Sequence, residues 1–205
     1  GCWSLRPEDV RATATRAYDG ETFVLVTRWT SAEGVAEVHE FLPMDEDVDA
    51  VVRRVVGIEG SVVFSSELRL RFDYARAVPW VRQVGDDTDP VLLAIAGPDA
   101  VALHGPRLRA EDTMHRGTFT VAAGEHVDSV LAWDRSYHPH PVAVDVDAAL
   151  DRARGWWTDW ASRIDGHGPW EQHVVRSLLV LRALTHTETG GIVAAATTSL
   201  PEDLG

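Results

Sequence analysis

The sequence predicts a mainly β fold, an antiparallel β-sandwich followed by two helices. Three observations carry this. Apolar residues recur with a period of two over 62–72, Gly, Pro and Asp punctuate a series of short apolar runs, and beyond residue 144 the apolar spacing changes to three and four.

Strand signals run from residue 22 to about 133. "TFVLVTRWTSAEGVAEVHEFLP" places two β-rich runs around the turn Ser31–Gly34, a hairpin signal. In "SVVFSSELRLRFDY", Val62, Phe64, Leu68, Leu70 and Phe72 share one face, and Glu67, Arg69, Arg71 and Asp73 share the other. One face is therefore expected in a core and the other wet. "VLLAIAG" (with Gly97-Pro98-Asp99 as turn), "AVALHG", "GTFTVAAGE" and "HVDSVLAW" continue the series at intervals typical of an antiparallel sandwich.

Pro139 and Pro141 mark a linker, since proline cannot continue a regular helix. After it, Ala149, Ala153, Trp156, Trp160 and Ile164 outline an amphipathic helix that Asp145 or Asp147 can cap. A second helix is expected from Pro169 through "WEQHVVRSLLVLRALTH", ending before Gly190. Its apolar residues, Val174, Val175, Leu178–Leu181 and Leu184, nearly encircle it. Such a helix requires cover on most sides, more than one sandwich supplies.

Composition narrows the function classes. A formal charge of −13 over 205 residues argues against binding a phosphate backbone, so no nucleic-acid partner is expected. All 19 basic residues are arginine, and lysine and asparagine do not occur, a bias expected of a GC-rich, actinobacterial genome. Cys2 is the single cysteine, which excludes an intrachain disulfide and fits a reducing cytoplasm. No apolar run approaches the ~18 residues of a membrane span, and "GCWSLRPEDV" lacks the charged start and apolar stretch of a signal peptide.

Candidate chemistry is sparse. His104, His115, His126, His138 and His140 raise a metal site, yet the His138-Pro-His140 pair has no acidic or Cys partner at a familiar spacing, and no metal or other cofactor is expected. "DDTDP" at 86–90 and the Asp145/Asp147 pair lack the glycine and distal glutamate of a calcium loop and are expected to form a turn and a helix cap. Glu37, Glu40, Glu67 and Asp73 fit a wet sheet face. Trp3, Trp29, Trp80 and Trp133 fit packing positions more readily than sugar platforms.

Five segments together resemble bacterial glycoside hydrolase family 15, the glucoamylase and trehalase family, in its actinobacterial trehalase-like branch. They are "RLRFDYARAVPW" (69–80), "LLAIAGPDAVAL" (92–103), "GWWTDWASR" (155–163), "GPWEQHVVRSLLVLRALTH" (168–186) and "TGGIVAAATTSLPEDLG" (189–205), the last two being the specific ones. The resemblance implies a supersandwich-like β domain at 1–143 that lacks the family's front strands. A linker helix at 144–167 and the first helix and loop of an (α/α)6 catalytic barrel at 168–205 follow. It further implies inverting hydrolysis of an α-glucosidic bond in trehalose or a maltooligosaccharide, with both catalytic carboxylates beyond Gly205. No catalytic residue is expected within the chain, which by itself would be structural and inactive. Thr197, Thr198, Ser199, Pro201 and Glu202 are the expected substrate-side loop, or else simply shape a turn. Exposed apolar surface at 170–187 would favour self-association. The alternative from another class is a non-catalytic sandwich that binds carbohydrate or a protein partner, which predicts an exposed aromatic row on one sheet face.

Overall fold

The computed structural model describes residues 1–44, 48–86, 88–139, 144–165 and 168–196. In chain order these form β1 (Cys2–Pro7), β2 (Thr13–Tyr18), β3 (Leu25–Thr30), β4 (Gly34–Phe41), β5 (Asp49–Arg69), β6 (Trp80–Val84) and β7 (Val91–Ala96). β8 (Asp99–His104), β9 (Arg109–Glu111), β10 (Met114–Ala122), β11 (His126–Arg135), α1 (Val146–Ala161) and α2 (Glu171–Ala183) follow. The protein is mainly β, and every strand pairing is antiparallel.

β5 runs through both arms of the sheet. Its first part lies between β4 and β11, in the order β2-β3-β4-β5-β11-β8-β7-β6, and its second part pairs with β1 and β10. The change of partners falls at Gly57–Gly60. There Val35 pairs with Glu59 but Ala36 with Gly57, so one extra residue bulges out of β5. Gly60 has φ +62, and a Cβ on Gly57 would lie 2.0 Å from the Ala122 carbonyl oxygen. The turn joining β10 to β11 straddles this bend: Gly57 N donates to Glu125 O at 2.9 Å and Gly124 N to Gly57 O at 3.0 Å.

The alternation in β5 sends its residues to two cores. Val55, Val62 and Phe64 pack with Ala36, Val38 and Val121 between the two arms, joined by Leu5, Trp29 and Phe119. Ala50 and Val52 face the other way and pack with Val130, Ala132 and α1 residues Ala149, Leu150 and Ala153. Arg54, on that same face, is buried. Its Nε and Nη2 donate to both oxygens of its cross-strand neighbour Asp128 at 2.7 and 2.8 Å, and Nη1 donates to Asp147 in the first turn of α1. The ion cluster therefore ties the helix to the sheet at a fixed point along β5.

Several sequence expectations are met and some are corrected. The β3–β4 hairpin closes through Ser31 N to Gly34 O at 2.9 Å, and β7–β8 turns at Gly97 with φ +60. β1 and β2 precede the region in which strand signals begin, because each is a run of only six residues, too short to stand out; β2 is exposed along its whole length. The period-two strand starts upstream, at Asp49, and stops at Arg69, since Asp73, Tyr74 and Ala75 take positive φ and turn the chain. Phe72 forms only an isolated bridge to Ala77. In α1 the most buried indole is Trp157, whereas Trp156 flanks it, because the stripe Val146–Ala149–Leu150–Ala153–Trp157–Ala161 faces inward. Asp145 is the N-cap, accepting from Ala148 N at 3.1 Å, and leaves Asp147 to Arg54.

Replacing Gly57 by Ala drives a methyl group into the Ala122 backbone, with an expected loss of about 1–3 kcal/mol in urea unfolding. Arg54→Ala removes a buried cation from two carboxylates that both reach water and is expected to cost about 1–3 kcal/mol, the range for lost charge-assisted hydrogen bonds. Hydrogen bonds from Arg54 hold the Asp147 carboxyl below its ordinary range. A depressed carboxylate contributes above its unfolded pKa of about 4 and loses that contribution as pH falls through the folded value. The stability gap between the native protein and Arg54→Ala is therefore expected to narrow below about pH 4 in unfolding curves taken across pH.

Candidate functional site

The two helices meet through a small apolar seam. Val175 and Leu179 of α2 are buried against Trp157 and Ala161 of α1, with Trp156, Trp160 and Ile164 around them. Arginines fix both helices to the loop after β2. Arg154 Nε donates to Asp19 at 2.7 Å, and Arg176 donates to the carbonyls of Thr22 (2.8 Å) and Gly20 (2.9 Å) while its guanidinium lies 4.3 Å from the Tyr18 ring centre.

α2 has one covered side. Trp170, Val174 and Leu181, separated by four and seven residues, form a second stripe roughly opposite Val175 and Leu179 and lie 69%, 46% and 46% exposed. The apolar residues around α2 thus exceed what the described chain covers.

Beyond α2 the chain folds back on itself. Thr185 bridges Ile192, His186 N donates to Gly191 O at 2.8 Å, and Val193 N donates to Leu184 O at 3.0 Å, with Gly190 at φ +69 making the reversal possible. This short stem leads toward the predicted substrate-side loop. Thr197, Thr198, Ser199, Pro201 and Glu202 all lie outside the described residues.

Beside the stem a groove of about 450 Å3 opens between the sheet and the helices, lined by Phe23, Phe41, Met44, Trp156, Arg182 and Thr185 among others. Its wall is an aromatic stack: Phe23 lies 4.7 Å from Trp157, whose ring meets Trp156 edge-on at 4.6 Å, and the Arg182 guanidinium sits 5.2 Å over Trp156. The groove can hold an apolar group, with Arg182 and Glu40 as its charged lining residues. Three carboxyls away from the groove are held below their ordinary range. Hydrogen bonds from Thr88 hold Asp86 down, the Arg135 amide and then His138 hold Asp134 down, and Arg54 holds Asp147 down.

The other candidates resolve into local structure. Asp86 accepts from Thr88 N (2.7 Å), Thr88 Oγ1 (2.5 Å) and Asp89 N (3.1 Å), closing the turn between β6 and β7. His138 Nδ1 lies 2.8 Å from Asp134 and its ring stacks edge-on with Tyr137; His140 lies outside the described residues. Among the described residues no three His, Cys, Asp or Glu side chains gather as a metal site. Glu37, Glu40 and Glu67 are not free wet-face acids. Each is largely covered and paired, with Arg28 (2.6 Å), Arg53 (2.9 Å) and Arg116 (2.6 Å), because arginines stand opposite or diagonal to them on the neighbouring strands. Trp80 and Trp133 lie on opposite faces of the sheet by register and do not form a row.

Comparison with known proteins adds an independent line. The chain is 28% identical over 195 residues to a trehalase of Mycobacterium tuberculosis, covering 87% of this chain and 27% of that protein. It is 26% identical over 236 aligned positions to a trehalase of Mycolicibacterium smegmatis, covering 98% of this chain and 34% of that protein. It resembles trehalases over most of its length. A shorter stretch of 56 residues, 27% of the chain and 10% of the relative, is 41% identical to a trehalase of Thermoplasma acidophilum. The chain spans about a third or less of the length of these relatives. No family model matches it. No described helix is long and apolar enough to cross a membrane.

The two stripes of α2 predict different mutational outcomes. Leu179→Ala empties a fully buried position and is expected to cost about 2–4 kcal/mol. Val174→Gln and Leu181→Gln, on the exposed stripe, are expected to stay within about 0.5 kcal/mol by the same urea titration.

Proposed function

We propose that this chain is the front part of a glycoside hydrolase of family 15 that releases glucose from trehalose by inverting hydrolysis. The observation that carries the reading is the similarity to trehalases across nearly the whole chain. In this reading residues 1–143 are a β-sandwich, 144–167 a linker helix, and 168–205 the first helix and substrate-side loop of the catalytic barrel. Support for the sandwich comes from the apolar cluster that Val55, Phe64 and Val121 form between the arms. Support for the barrel helix comes from the exposed stripe on α2, which a further helix would cover.

The reaction needs two carboxyl groups roughly 6.5–9.5 Å apart, one protonating the leaving oxygen and one activating water on the opposite face of the sugar. This reading assigns both to polypeptide outside residues 1–205. The chain's own role is structural: the sheet holds α1, α1 holds α2, and α2 carries the stem from which Thr197, Thr198, Ser199, Pro201 and Glu202 would wall the sugar site. The exposed Cys2 fits the reducing, cytoplasmic setting proposed here.

The intact protein is expected to release glucose from trehalose, with the newly freed anomer inverted as read by proton NMR. Residues 1–205 alone are expected to release none and to self-associate through 170–187 on gel filtration. Failure of the intact protein to cleave either trehalose or maltose would overturn the assignment.

A further inference from the structure

The groove beside α2 holds one cation without a carboxylate partner among the described residues, Arg182. Its guanidinium sits 5.2 Å over the Trp156 ring, a contact that gives its N–H donors no acceptor. Two carboxylates line the groove and the adjoining hollow, and both are held by other arginines. Glu40 pairs with Arg53 at 2.9 Å, and Asp159 pairs with Arg163. Much of the remaining lining is apolar and within reach of a further group: Leu42 and Val51 are 62% and 37% exposed.

The chain itself runs back toward this groove. Thr185 and Thr187, on the outgoing side of the stem, line it. The returning side is antiparallel to them: Ile192 bridges Thr185, and Val193 N donates to Leu184 O at 3.0 Å. That side therefore heads for Ala183 and Arg182, which also line the groove. Residues 200–204 read Leu-Pro-Glu-Asp-Leu, two apolar side chains around two acids. The four residues from Ala196 to Leu200 can span up to about 13–14 Å.

We propose that residues 200–204 of the same chain seat in this groove, with Leu200 and Leu204 in its apolar part and the Glu202 carboxylate on Arg182. The segment matches the groove in both respects, apolar side chains for the apolar lining and an acid for the cation. A purely apolar occupant would leave Arg182 without a counter-charge, and a small anion would leave Leu42 and Val51 bare. Seated in this way, the segment leaves Thr197, Thr198 and Ser199 as a short span between the stem and its anchor. The docking does not depend on whether the intact protein hydrolyses trehalose, because it rests on the groove, the stem and the charge of the segment.

Cross-linking in the intact protein tests it. In a Cys2→Ser background, the pair Leu42→Cys and Leu200→Cys is treated with a short bismaleimide, and linked peptides are read by mass spectrometry. The pair Val10→Cys and Leu200→Cys is the control, because Val10 precedes β2 at the end opposite Tyr18, which lines the groove. The first pair is expected to link within one chain and the control pair not to. Arg182→Glu is expected to lower the yield about twofold to fivefold, the effect of one exposed ion pair, and adding Glu202→Arg to restore it. A yield no higher than the control, or one that Arg182→Glu leaves unmoved, would overturn the docking. Links formed only between chains, in a mixture of light- and heavy-isotope protein, would overturn it in favour of a second copy. Cross-linking needs no sugar, so its failure is distinct from failure to release glucose.

Discussion

One continuous strand organises the molecule. β5 is 21 residues long and serves both arms of the sheet, so the two arms share one continuous backbone. The bend that allows this depends on backbone passing very close to backbone at Gly57, and on a left-handed residue at Gly60. Side chains at either position would have to displace a carbonyl group. The alternation of β5 then assigns Val55, Val62 and Phe64 to the cluster between the arms and Ala50, Val52 and Arg54 to the α1 side.

Positioning passes outward from there through few contacts. Arg54 carries the register of β5 and β11 to the first turn of α1. α1 passes it to α2 through Trp157 and Ala161, while Arg154 and Arg176 clamp the loop after β2. Each step outward buries less apolar surface. α2 retains two buried residues and an exposed apolar stripe.

Much of the β region was legible because alternation and turn chemistry are local. Val62, Phe64 and Leu68 face a core as their spacing requires, and Ser31–Gly34 turns as its residues require. β1 and β2 were not legible. Their residues are polar or half-buried, and they are strands because β5 and β3 offer them partners. The same blindness to distance hid the meeting of Arg53 with Trp3, 50 positions apart, which packing of one arm on the other brings about. The predicted loop at 197–202 rests on sequence resemblance alone.

By itself the sequence determined the mainly β character, the two amphipathic helices, the acidic charge and the likeness to trehalases. Each of these is a property of neighbouring residues or of composition. Only the tertiary structure decided which arm each half of β5 joins, that Asp147 serves Arg54 while Asp145 caps α1, that Glu37, Glu40 and Glu67 are paired, and which stripe of α2 stays bare. Apart from the Asp145 cap, whose partner is three positions away, the ion pairs join groups 9 to 93 positions apart in the chain, and their meeting is set by sheet register and packing, which no local pattern encodes.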